Sequence, residues 1–143
     1  EARYFHDILV TMFSSAKVLP SYVQHLSQIH SILALVKAGA DIVAVDATQR
    51  ARFGGVSLQE FYLGIRKHTN IPLLADVDSI ENAINAEALG FDAIATTLNG
   101  YTEIPSTGLP NIDLVLEIAN AIKVPLIAEG GFANPAQCFF CCG

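Results

Sequence analysis

The chain is poor in positive charge: 8 Lys and Arg stand against 14 Asp and Glu, giving a formal net charge of -6. Nucleic-acid binders gather basic residues into a footprint, and these are scattered, which argues against recognition of a phosphate backbone. A small anionic ligand is not excluded, because one or two basic groups and a few backbone N–H donors hold a phosphate inside an acidic protein. Long apolar runs are absent as well. Asp, Asn, Gly or Lys interrupts each one within about ten residues, well short of the roughly 20 that cross a bilayer, so no membrane partner is expected and the chain reads as soluble. The opening "EARYFHDILV" has neither an initiating Met nor a signal-peptide architecture, which makes a cytoplasmic location the expectation.

Cysteine is missing until the closing "CFFCCG", where Cys138, Cys141 and Cys142 fall. Cys138 and Cys141 have C-x-x-C spacing, but without the strand-to-helix context of a redox thiol or the four ligands of a zinc site. His6, His25, His30 and His68 complete neither a triad nor a metal spacing. No metal site is expected. Nor does a G-x-G-x-x-G follow a first strand, which argues against a dinucleotide-binding fold.

What is present is a hydrophobic content of 52% in 143 residues, enough for one compact domain or part of one. Between Ile29 and Pro135 amphipathic helix alternates with short apolar strand. Ile29, Ile32, Leu33 and Val36 share a helix face, and Gly39 follows where a left-handed cap is wanted. The strand "ADIVAVDAT" comes next. "SLQEFYLGIRKH" then opens with a capping box, Ser57 and Glu60, and carries Leu58, Phe61, Tyr62 and Ile65 on one stripe. After the strand "IPLLADV", "DSIENAINAEALG" repeats the device with Asp78 and Glu81, an apolar stripe through Ile80, Ala83, Ile84 and Ala88, and Gly90 as the stop. "FDAIATTL" is the third strand. The helix "NIDLVLEIANAIK" groups Leu114, Val115, Ile118 and Ile122, and "VPLIAEGG" is the fourth strand.

Such alternation implies parallel strands joined by crossovers, in a barrel or a doubly wound sheet. Polar groups recur at the strands' C-terminal ends (Asp46, Asp76, Thr96 with Thr97, and Glu129), where barrel enzymes place their chemistry. The fold class is therefore α/β, a parallel β/α barrel of the TIM type present as a partial barrel of about four βα units, against eight in a full barrel of about 250 residues. The expected division is an irregular N-terminal segment at 1–28, the partial barrel at 29–135 and a divergent Cys-rich tail at 136–143. Four strands leave two open parallel edges, which a homodimer would cover.

The stretches "AGADIVAVDATQRAR", "LLADVDSIENAINAEALGFDAIATTLNGYT" and "VPLIAEGG" resemble, in that order and at similar spacing, the N-acylglucosamine-6-phosphate 2-epimerase family. That family interconverts N-acetylmannosamine 6-phosphate and N-acetylglucosamine 6-phosphate. "AGAD" alone occurs in many barrels, but "VDAT", "TTLNGYT" and "AEGG" together are specific. The resemblance implies a β/α barrel, a small-molecule sugar phosphate as substrate, no nicotinamide or metal cofactor, and a place in sialic acid breakdown or amino-sugar salvage. Inverting C2 requires removing the proton beside the C1 aldehyde and returning one to the opposite face, which needs acid–base groups of tuned pKa and a donor for the developing enolate oxygen.

Glu129, at the end of an apolar strand, is the expected catalytic proton-transfer group, its pKa raised by partial desolvation; the alternative is a salt-bridged strand-end glutamate. Gly130 and Gly131 would let backbone N–H groups approach the ligand. Asp46 resembles the family's substrate-contacting aspartate and equally fits an aspartate capping its own turn. Arg50 and Arg52 resemble an arginine-bearing loop, with Phe53 where the family usually has proline; Arg50 is the candidate for the anionic ligand, against the reading of an exposed loop arginine. Thr97, Asn99 and Tyr101 offer neutral hydrogen-bond groups for sugar hydroxyls and an amide, or else a loop bonded to itself.

Two parts of the family pattern are not found: a strand-end lysine in a "GIIK"-like motif and a "VGSAIT"-like phosphate loop. Lys17 sits in "FSSAKVLP" and Lys37 on a helix. The expectation is that this chain alone epimerises feebly or not at all. Two other readings stay open: a non-catalytic half-barrel acting as a dimer or interaction module, and a different phosphate-binding β/α-barrel isomerase or aldolase.

Overall fold

The computed structural model describes residues 21–104 and 108–133. Four helices and four strands alternate: α1 (Ser21–Lys37), β1 (Val43–Asp46), α2 (Leu58–Arg66), β2 (Leu73–Asp76), α3 (Ile80–Leu89), β3 (Ala93–Ala95), α4 (Ile112–Ala121) and β4 (Leu126–Ile127). A single 3-10 turn, Phe53–Gly55, lies between β1 and α2. The expected irregular segment at 1–28 overlaps α1, which already runs from Ser21. Its remainder, the strand suggested for "DILVTMF" and the tail at 136–143 lie outside the described residues.

The strands pair in parallel in the order β1-β2-β3-β4, each neighbour in space being the neighbour in sequence. A doubly wound sheet would reverse direction at a switch point, and this order has none. The two faces of the sheet also differ. Val43, Val45, Leu73, Ala75 and Ile94 join Ile32, Leu58, Phe61, Ile65, Ala83, Ala86 and Ile118 from the helices in one large core. The other face holds a small cluster, Ala44, Leu74 and Ala95 with Ile42, Ala93 and Ile127, to which no described helix contributes. Helices on one side and small inward side chains on the other make this a sector of a β/α barrel.

Local signals set the helix ends. Ser57 accepts from the Glu60 amide while the Glu60 carboxylate accepts from the Ser57 amide, so the capping box at α2 forms as expected. Gly90 closes α3 with φ 102°, a left-handed cap that a side chain would strain. At the start of α3 the expectation fails: the cap is Ser79, whose hydroxyl accepts from the Asn82 amide, and not Asp78. The Asp78 carboxylate is instead buried and accepts from the Asn82 side chain at 2.7 Å. With Asn82 drawn inward, Ala83 and Ala86 form the buried face and Ile84 is 47% exposed, so the apolar stripe expected through Ile84 and Ala88 is turned away from the sheet.

Candidate active site

In a parallel sheet every strand delivers its C-terminal end to the same side, and side chains alternate between faces. Asp46 and Asp76 are paired in register, and Asp76 is opposite Ala95, itself opposite Ile127. Ala95 and Ile127 belong to the inward cluster, so the two aspartates point to the barrel interior. Two residues further on, Thr97 and Glu129 return to that face. Apolar strand bodies thus carry polar groups only at one mouth.

Asp46 organises the loop that follows it. Its Oδ1 accepts from the Thr48 amide at 2.9 Å and the Thr48 hydroxyl at 2.7 Å, so the aspartate caps its own turn. Arg50 donates from Nη2 to Asp46 Oδ2 at 2.5 Å and from Nε to the Thr48 hydroxyl at 3.2 Å. Arg52 donates from Nη2 to the carbonyls of Asp46 and Thr48 at 2.7 and 2.8 Å. Burial pushes the Asp46 carboxyl up, but the Thr48 hydrogen bonds and the Arg50 guanidinium outweigh it and leave the group below the ordinary range. Asp46 is held as an anion. Desolvation lowers the Arg52 pKa, against the attraction of Asp46.

Asp76 is the contrasting carboxylate. It is 7% exposed, and desolvation first, then the charges of Glu129 and Asp46, push it to about 6 against the lowering hydrogen bond from Thr97. The Thr97 hydroxyl lies 3.0 Å from Asp76 Oδ1 and 3.3 Å from Glu129 Oε2. The hydroxyl donates to Asp76 at the shorter distance and lies within reach of Glu129, so Thr97 bridges the two acids. Glu129 itself is exposed, so the desolvated carboxyl of the pair is Asp76, whereas the sequence points to Glu129. The signal for Asp76 lies in its place at a strand end.

Thr96 holds the Glu129 backbone: its hydroxyl donates to the Glu129 carbonyl at 2.7 Å and accepts from the Glu129 amide at 2.9 Å. Asn99 is buried, and both ends of its amide meet protein, Nδ2 donating to the Asp78 carbonyl at 2.8 Å and Oδ1 accepting from Asn111 at 3.2 Å. Tyr101 is 66% exposed. Gly130 and Gly131 adopt φ 103° and 74°. A Cβ on Gly131 would lie 2.5 Å from Leu109 Cβ, so that glycine is required by the loop between β3 and α4 lying against it. The structure thus brings Asp46, Thr97 and Glu129 to one mouth with Asp76, with Arg50 on Asp46 and the two glycines directly after Glu129. Among the described residues, no group of three or more His, Cys, Asp or Glu is arranged to hold a metal ion.

Comparison with known proteins gives this arrangement a family. The profile of the NanE family, described as "Putative N-acetylmannosamine-6-phosphate epimerase", matches residues 17–142. A relative from Caldanaerobacter subterraneus subsp. tengcongensis is 44% identical over 105 residues, covering 72% of this chain and 44% of the relative. One from Thermosynechococcus vestitus is 39% identical over 123 residues, covering 85% and 53%. Both are described as "Putative N-acetylmannosamine-6-phosphate 2-epimerase". Among solved structures, the N-acetylmannosamine-6-phosphate 2-epimerase from Clostridium perfringens superposes with a TM-score of 0.68 at 32% identity, over 74% of this chain and 46% of that one. Mandelate oxidase matches with a TM-score of 0.62 at 17% identity, a likeness of fold alone. The chain spans about half the length of the relatives it matches. With its parallel strand order and its acids at one mouth, it belongs to the N-acetylmannosamine-6-phosphate epimerase family.

Proposed function

We propose that this chain supplies one side of the active site of a β/α-barrel epimerase that interconverts N-acetylmannosamine 6-phosphate and N-acetylglucosamine 6-phosphate by deprotonation and reprotonation at C2. The observation that carries the reading is the pair of acids sharing the Thr97 hydroxyl, 3.0 Å from Asp76 and 3.3 Å from Glu129. Proton abstraction beside a carbonyl needs a carboxylate exposed enough to meet substrate and a neighbouring group that responds to the change in charge. Glu129 is exposed at the strand end, and Asp76, titrating at about 6, is linked to it through one hydroxyl.

Glu129 takes the C2 proton in this reading, and the Asp76–Thr97 pair accommodates the change in charge. Asp46, kept anionic by Thr48 and Arg50, accepts hydrogen bonds from sugar hydroxyls through its remaining lone pairs. Thr97 and Tyr101 are further hydrogen-bonding groups, and the backbone around Gly130 and Gly131 offers donors to an anionic substrate. Asn99 orders the loop that carries Tyr101, through Asp78 and Asn111. Arg50 contributes positive charge at the mouth. Reprotonation from the opposite face needs a second group. Lys37 and Lys67 sit at the C-terminal ends of α1 and α2 and Lys123 just before β4, all at the opposite end of the sheet from these acids.

A cytoplasmic setting and a sugar phosphate as the small-molecule partner belong to the same reading; no described helix is long and apolar enough to cross a membrane. The open edges of β1 and β4 are where further strands of the barrel, or a second copy in a homodimer, would pair.

The test is deuterium incorporation at C2 of N-acetylmannosamine 6-phosphate in D₂O, with epimer formation followed alongside. It is run on the chain joined to the remaining barrel units of a relative. Glu129→Gln keeps shape and removes the titrating group, so both rates should fall by about 10²- to 10⁴-fold with binding retained. Unchanged rates would remove Glu129 from the chemistry.

A further inference from the structure

β4 is the shortest strand of the sheet. Only Leu126 and Ile127 pair with β3, both are half-buried, and the last ladder bond runs from the Thr96 amide to the Ile127 carbonyl at 3.2 Å. A continuing parallel ladder would next give the Glu129 amide the carbonyl of Thr96. That carbonyl instead accepts from the Asn99 amide at 3.1 Å, in the turn that begins the β3–α4 loop.

The Thr96 side chain supplies the missing rung. Its hydroxyl accepts from the Glu129 amide at 2.9 Å and donates to the Glu129 carbonyl at 2.7 Å, so one oxygen satisfies both backbone polar groups of the residue. Thr96 is 2% exposed, which shields these bonds from water, and its β-branch restricts χ1. The following residue, Thr97, contacts the Glu129 carboxylate at 3.3 Å. Consecutive threonines thus hold the same glutamate at its backbone and at its side chain.

We propose that Thr96 is a positioning residue for Glu129: its hydroxyl fixes the backbone beyond the end of β4 so that the carboxylate is delivered to Thr97 and, through it, to Asp76. This rests on the reading of Glu129 as the proton-transfer group. A merely structural role would reside in the packing of the Thr96 methyl, and two substitutions separate the roles. Thr96→Val keeps the shape and removes the hydroxyl, whereas Thr96→Ser keeps the hydroxyl and removes the methyl.

The experiment is carboxyl ¹³C NMR titration of Asp76 and Glu129 in the 143-residue chain, with folding checked by amide spectra. In Thr96→Val the Glu129 charge recedes from Asp76, and the Asp76 midpoint falls below about 6 by the part that Glu129 contributes, while the larger part due to burial remains; Thr96→Ser keeps the parent midpoint. In the C2-exchange assay Thr96→Val lowers kcat by about 10²-fold with KM little changed, the expected effect of misplacing a catalytic group by about an ångström. Amide exchange in the unsubstituted chain adds a measurement independent of any variant: the Glu129 amide is protected relative to that of exposed Gly131. An unchanged Asp76 midpoint in Thr96→Val, a Ser variant that behaves as Val does, or an unprotected Glu129 amide overturns the proposal. An inert Glu129→Gln substitution overturns the catalytic reading instead, and the Asp76 titrations then decide the backbone clamp on their own.

Discussion

Asp76→Asn should stabilise the protein, and by an amount that depends on pH in a specified way. Folding raises the Asp76 pKa from its ordinary 3.8 to about 6, chiefly by desolvation. The fold therefore favours the protonated carboxyl. That contribution is fully present below pH 3.8, declines as pH rises and is lost once pH passes through about 6. A rise of about two pH units, at about 1.4 kcal/mol each, makes the ionised carboxylate a destabilising charge of about 3 kcal/mol at pH 8. Asparagine is nearly isosteric and neutral at every pH, and its Oδ1 can still accept from the Thr97 hydroxyl.

The substitution should thus add about 3 kcal/mol at pH 8, with the gain disappearing near pH 4. Urea unfolding of both proteins at intervals from pH 4 to 8, with equal m-values required, measures the difference directly. A gain that stays constant across that range would show that Asp76 does not titrate there. A loss at pH 8 would show that its negative charge is compensated by a contact other than Thr97.

Ser57→Ala removes the hydroxyl half of the α2 capping box and should cost about 1 kcal/mol, seen as a lower urea midpoint at unchanged m. Gly131→Ala forces a side chain into φ 74° with its Cβ 2.5 Å from Leu109 Cβ, so a left-handed penalty of about 1–2 kcal/mol is joined by displacement of the β3–α4 loop. Thermal unfolding should show the loss, and Tyr101 and Leu109 resonances should shift together.

The architecture is readable because helix and strand periodicities are superimposed on few exceptions. In β1 and β2 the residues facing the helices, Val43, Val45, Leu73 and Ala75, alternate with Ala44 and Leu74 on the inner face, and each strand is followed by a cap that terminates or restarts a helix. Sequence could not fix the face of α3. Ile84 is more apolar than Asn82, yet Asn82 is the buried one because its amide serves the Asp78 carboxylate, and the small Ala83 and Ala86 bring the helix onto the sheet. A hydrophobic stripe assigns faces by transfer free energy alone, whereas a buried hydrogen bond between polar residues four apart is invisible to it.

The site is legible in place but not in division of labour. Asp46, Asp76 and Glu129 all close an apolar strand, and the strand pattern alone does not distinguish which is paired, which is buried and which is exposed. Those differences come from the next residues along. Asp46 is followed by Thr48 and Arg50, which neutralise it within its own loop. Asp76 is followed by Val77 and Asp78, which leave its side chain to be met by Thr97 from the neighbouring strand's end, at a separation of 21 residues. Glu129 is followed by two glycines and lies beyond a strand too short to hold it by ladder bonds, so its placement depends on Thr96, 33 residues away. Local pattern predicts which end of a barrel carries the chemistry, because strand direction dictates that. The environment of each acid is set by cross-strand hydroxyls, and a threonine that holds the backbone of a strand-end glutamate looks, in sequence, like any other β-former at the end of a strand.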